Sequence, residues 1–143
     1  MPEATPREIE AFLAEAFPQI ADLNLRVEQA GGRKARVRMP IGEDNLRPGG
    51  TVSGPTLFWL ADLGLYIAVL ADLGTEAAAM AVTANATVNF LSKPERADLI
   101  ADVRLMKLGR RLAVGEVAIY SEGKDDMVAH ITGSYALPPA KTG

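Results

Sequence analysis

The chain has 143 residues, 48% of them hydrophobic and 23% charged, which suits one globular core and excludes a disordered polymer. Fifteen basic against eighteen acidic side chains leave a net charge of −3, so no cationic footprint for nucleic acid covers the surface. Cysteine is absent, His130 is the only histidine and no G-x-S-x-G occurs, which excludes disulfides, thiolate chemistry, multi-histidine metal sites and the usual serine-hydrolase elbow.

Met1 to Pro6 carries no basic and apolar blocks of a signal peptide, so a cytoplasmic protein is expected. Thr5-Pro6-Arg7-Glu8 opens a helix, with threonine as N-cap and proline in the first turn. Ile9, Phe12, Leu13 and Phe17 form its apolar stripe, and Pro18 ends or kinks it. Leu23–Glu28 and Arg33–Ile41 alternate around Gly31-Gly32 as a hairpin, and residues 42–53, with Gly42, Pro48, Gly49 and Gly50, read as a loop.

Ser53 then caps a long apolar helix that Gly74 ends. Thirteen of the eighteen residues from Pro55 to Asp72 are apolar, which invites a membrane reading. Eighteen helical residues span only about 27 Å. Asp62 lies near the middle and no basic cluster flanks the segment, so a buried helix is expected. Met80 to Leu91 alternates with period two, and Ala97–Leu108, Arg111–Ser121 and Met127–Leu137 follow as strands in meander spacing. A helix apolar on nearly all sides must be wrapped, and one curved sheet is the simplest wrapping. The expectation is a single α+β domain over residues 1–143, with a helix in 1–20 and a frayed tail at 138–143.

Four features could carry chemistry. Asp62 has Phe58, Trp59, Leu65 and Tyr66 at its i±3 and i±4 positions, and a carboxylate desolvated by such neighbours suits general-base or general-acid work; a solvated edge or an arginine partner is the plain alternative. The helix start at Ser53-Gly54-Pro55 offers the Gly54 N–H to an oxyanion, although every helix has such a terminus. Arg104, Lys107, Arg110 and Arg111 flank Gly109 without an acid among them and could hold a phosphorylated ligand, or be a solvated hairpin tip. Thr83, Asn85, Thr87 and Asn89 form a polar strand face of the kind that meets solvent or another subunit. His130 reads as structural, and Met80, Met106 and Met127 as packing.

Ser53-Gly54-Pro55-Thr56-Leu57-Phe58-Trp59-Leu60-Ala61-Asp62 resembles the hotdog-fold acyl-CoA thioesterases of the phenylacetate-degradation (PaaI-like) type. That family opens its central helix with His-Gly-Gly and places an acid nine positions after the histidine, and Asp62 stands nine after Ser53. The likeness continues through Ala81-Val82-Thr83, Asn89 to Pro94 and Lys107 to Ala113, covering about residues 40–137.

The resemblance implies a hotdog fold, a curved antiparallel sheet around one central helix. Asp62 would be general base or nucleophile, Gly54 the donor to the thioester carbonyl, Thr83 the residue orienting water and Asn45 a second carbonyl contact. Lys107, Arg110 and Arg111, with Ser53, would meet coenzyme A, which enters as part of the substrate; no separate cofactor or metal is implied. Partners would be further copies of the chain, as a dimer or dimer of dimers with shared sites, without nucleic acid or membrane.

Ser53 and Pro55 stand where the family has histidine and a second glycine, and Asn45 lies about two residues farther from the turn. Alternation also puts Thr83 on the face opposite Val82 and Ala84, so it would serve a neighbouring subunit's site or none. A non-catalytic acyl-CoA binding module is the competing expectation. A hydratase ranks last, since His130 is far from Asp62 in sequence.

Overall fold

The computed structural model describes residues 3–21, 23–42, 46–47 and 51–139. Helix α1 (Pro6–Ala16) starts at a capping box in which the Thr5 hydroxyl accepts from the Glu8 N–H and the Glu8 carboxylate accepts from the Thr5 N–H. Pro18 ends it, having no N–H for another turn, and opens the short α2 (Pro18–Ala21). Strands β1 (Arg26–Gly31) and β2 (Lys34–Met39) form the expected hairpin, with Gly32 and Arg33 both at positive φ in the turn. The loop expected over residues 42–53 contains a two-stranded ribbon, β3 (Leu46–Arg47) with β4 (Thr51–Val52).

Helix α3 (Gly54–Leu73) is the centre of the molecule. Ser53 caps it and Gly74, at φ +92°, ends it. Its length and mean hydropathy of 1.6 would suffice for a bilayer crossing, yet 67% of that apolar stretch is buried within the fold. Leu60, Ile67, Val69 and Leu70 are fully enclosed. After α4 (Thr75–Ala78) come four long strands: β5 (Val82–Phe90), β6 (Leu99–Leu108), β7 (Leu112–Ser121) and β8 (Met127–Ala136).

All neighbouring strands of the main sheet are antiparallel, in the order β1-β2-β6-β7-β8-β5. With α3 packed on one face, this is the hotdog arrangement that the resemblance implies. Close approach is made possible by two glycines: a Cβ on Gly115 or Gly133 would lie 2.8 Å from a methyl of Leu65.

The expectation of a four-strand meander is corrected. β6, β7 and β8 form one, but β5 pairs with β8 at the opposite edge. The Leu91–Asp98 connection therefore crosses the ends of β8 and β7. Its backbone polar groups find partners on the way: Leu91 and Ser92 N–H donate to the Val128 carbonyl, and Glu95 N–H donates to the buried Ser121 hydroxyl. Met80 and Met106, expected to pack, are 77% and 45% exposed. The tail expected to fray from Pro138 lies outside the described residues beyond position 139.

Candidate active site

Asp62 is half-buried on α3, facing the β5 end of the sheet. Its Oδ1 accepts a hydrogen bond from Thr83 Oγ1 at 2.6 Å and one from Tyr135 Oη at 2.8 Å. The same phenol lies 2.9 Å from the Asp62 main-chain carbonyl. Oδ2 has no partner among the described residues. The expectation of a carboxylate in apolar surroundings is thus corrected, since its immediate partners are hydroxyls. Of the three expected aromatic neighbours, Phe58 is 39% exposed, and Tyr66 is committed elsewhere, its hydroxyl donating to the Ala79 carbonyl.

Thr83 reaches Asp62 of its own chain, which corrects both alternatives drawn from strand alternation. The reason is a β-bulge. Thr83 pairs with Tyr135 and Asn85 with Ser134, so Ala84 is an extra residue in β5. One inserted residue reverses the in–out parity, placing Thr83 on the helix side together with Ala86 and Val88 farther along.

Tyr135 was not among the candidates from sequence. Its ring stacks on Tyr66 with centroids 5.9 Å apart, and it is 5% exposed. Burial raises its phenol well above the ordinary tyrosine range, outweighing a hydrogen bond with Thr83 that acts the other way, and the neighbouring Asp62 charge adds to the rise. It therefore keeps its proton and remains a donor at any working pH. The available signal was a tyrosine on the inward parity of β8, which needs a buried partner for its hydroxyl.

At the helix start, the Ser53 hydroxyl accepts from the Thr56 N–H at 3.3 Å and Pro55 has no N–H. The Gly54 amide is thereby left over at the terminus, with no partner among the described residues. The Phe90 ring packs against Gly54, 3.3 Å from where a Cβ would sit. Asn45 lies outside the described residues. Gly54 and Asp62 are eight residues apart on one helix, so their backbones are about 12 Å apart along its axis.

Lys107, Arg110 and Arg111 are exposed around the β6–β7 turn, and none has an ion-pair partner among the described residues. Leu108 pairs with Ala113 and Ala113 with Tyr135, so the turn lies about two strand spacings, roughly 10 Å, from the Tyr135 backbone. Arg104 does not join this group: it stands opposite Glu116 and is bound to it at 2.8 Å. Glu116 also meets His130 Nε2 at 3.2 Å. His130 sits five positions before Tyr135, on the opposite parity of β8, which agrees with a structural role.

Comparison with known proteins identifies the family and the fold. Residues 49–128 match the family model described as "Thioesterase superfamily". A Halobacterium salinarum protein named "putative esterase" is 34% identical over 100 residues, 68% of this chain and 66% of that relative, so the match spans about two thirds of the relative's length. Among solved structures, a "putative thioesterase" from Silicibacter sp. TM1040 is 44% identical, with 97% of this chain and 95% of that one covered and a TM-score of 0.89. A mutant of the phenylacetic acid degradation protein PaaI from Thermus thermophilus is 28% identical over 85% of this chain and 99% of that one, with a TM-score of 0.71.

Proposed function

The chain belongs to the thioesterase superfamily, a family of thioester hydrolases, and from that premise we propose an acyl-CoA thioesterase in which Asp62 activates water and the Gly54 amide holds the carbonyl. The observation that carries this reading is Asp62 itself, a half-buried carboxylate on the core helix with one oxygen that has no partner among the described residues. As general base it takes a proton from water while the water oxygen attacks the thioester carbon. The Gly54 N–H receives the developing oxyanion. Collapse breaks the C–S bond, and the proton held by Asp62 passes to the departing sulfur, giving free acid and coenzyme A with the carboxylate restored.

One thioester must meet the Gly54 N–H directly and Asp62 through a single water, and about 12 Å of helix separates the two groups in one chain. This supports a dimer, or dimer of dimers, in which Asp62 of one copy works with Gly54 of another. The outer edge of β5 fits such pairing, since Val82 and Phe90 are 60% and 57% exposed on a strand that has a partner on one side only among the described residues. Lys107, Arg110 and Arg111, without an ion-pair partner among the described residues, suit coenzyme A phosphates, and their turn flanks the Asp62 end of the sheet.

The test is free-thiol release from short, medium, long and aryl acyl-CoAs, with Asp62→Asn beside the wild type. Turnover lost in the variant at unchanged melting temperature is the expected result. Near-full rate in Asp62→Asn would sink the assignment. A second reading, a non-catalytic acyl-CoA binding module, draws on Ser53 and Pro55 at the helix start, where one hydroxyl is used as a cap and one N–H is missing. Saturable acyl-CoA binding without turnover would favour it.

A further inference from the structure

Asp62 meets two hydroxyls, and both fall on the same carboxylate oxygen. Thr83 comes from the edge strand and is exposed, whereas Tyr135 comes from β8 and is 5% exposed, its ring fixed against Tyr66. From this geometry we propose that Tyr135 is the positioning residue of the site: it pins Oδ1 of Asp62, fixes the plane of the carboxylate and leaves Oδ2 as the atom that receives the proton from water. The inference rests on the thioesterase reading and deepens it.

Three observations support the assignment. First, the phenol's single hydrogen is shared between Oδ1 at 2.8 Å and the main-chain carbonyl of Asp62 at 2.9 Å, so one rigid group references the carboxylate to the helix backbone. A carboxylate held only by Thr83 would keep rotational freedom about χ2, a broad and soft torsion. Second, a hydroxyl has one hydrogen, and Thr83 spends its own on Oδ1. Thr83 therefore has no second hydrogen with which to take over the phenol's bond, and its remaining capacity is as an acceptor, for a water hydrogen beside Oδ2. Third, the tyrosine proton is not given up at neutral pH, so the clamp is a permanent donor and takes no part in the proton transfer. Proton traffic runs only between water, Oδ2 and the departing sulfur.

Tyr135→Phe tests this with the ring stack preserved. The expected result is a fall in kcat of about tenfold, the loss of one charge-assisted hydrogen bond, with KM within about twofold of wild type. Thr83→Val combined with Tyr135→Phe leaves Oδ1 without a donor, and its kcat is expected to fall below the product of the two single effects. Installing p-aminophenylalanine at position 135 restores a para N–H donor and is expected to recover most of the lost kcat. A merely structural tyrosine would not separate Phe from p-aminophenylalanine in kcat. Should Tyr135→Phe fold poorly, the p-aminophenylalanine variant carries the same comparison against wild type, where normal folding and a rate near wild type are expected and a rate as low as that of Asp62→Asn overturns the proposal. A Tyr135→Phe rate within twofold of wild type overturns it too, while leaving the thioesterase reading intact. Absence of thiol release by the wild type is a different outcome, which removes that reading and the positioning role with it.

Discussion

Glu116 shows how a single carboxylate gathers two neighbours on the outer face of the sheet. It accepts from Arg104 at 2.8 Å and faces His130 at 3.2 Å. The Arg104 hydrogen bond first, and the His130 contact second, hold its carboxyl below the ordinary range. A depressed carboxyl stabilises the fold above its unfolded-state value and loses that contribution as pH falls through the folded-state value. Side chains at about a third exposure or more screen such pairs, so the contribution is modest, about 0.5 kcal/mol. Glu116→Gln is therefore expected to lower stability slightly at pH 7 and to match wild type in the acid range, below the usual carboxylate values. Urea midpoints for both proteins across that range check it; a gap that widens on acidification would reverse the sign of the argument. The network also settles which basic residues remain available, because Arg104 is spent on Glu116 while Lys107, Arg110 and Arg111 are not.

At the scale of elements, local signals were legible and tertiary ones were not. Thr5, Ser53 and Gly74 marked helix ends correctly because capping depends on a few adjacent backbone groups. Asp62 stood out for a similar reason, as a charge near the middle of a largely apolar helix. The face of Thr83 could not be read, because nothing in Val82-Thr83-Ala84-Asn85 announces the bulge that reverses parity. Nor could the place of β5, which is set by the path of Leu91–Asp98 across two strand ends rather than by strand spacing. Tyr135 was missed because its significance depends on a pairing 73 residues away in sequence. Helix–sheet contact gives a direct test at this scale. A Cβ at position 115 would meet the Arg104 carbonyl oxygen and a Leu65 methyl, both at 2.8 Å. The backbone oxygen cannot swing aside, so Gly115→Ala is expected to cost about 2 kcal/mol through overpacking. A denaturant melt with an unchanged midpoint would mean that α3 and β7 do not approach so closely.

For the whole molecule, the question is whether one chain suffices. Asp62 and Gly54 belong to the same rigid helix, and no side-chain motion can close about 12 Å between their backbones along its axis. If both act on one carbonyl, each copy must supply half of two sites, as two-fold symmetry requires. Subunit mixing separates this from a single-chain site. Asp62→Asn removes the base from one chain. Gly54→Pro removes the free N–H from the other: proline suits the first helical position and Ser53, at φ −74° and ψ 153°, already has the backbone that precedes a proline. Position 54 also precedes Pro55 within the helix, so the variant's melting temperature is measured beside its activity. The Phe90 ring against Gly54 is more than half exposed and free to yield. Each variant alone is expected to be inactive or nearly so. Co-expressed in equal amounts, half of the dimers pair the two variants, and each of those holds one intact site and one doubly defective site. Activity is then expected at about a quarter of wild type per chain. No recovery in the mixture, with heterodimers verified by mass, would place both groups' work within one chain and contradict the geometry of α3.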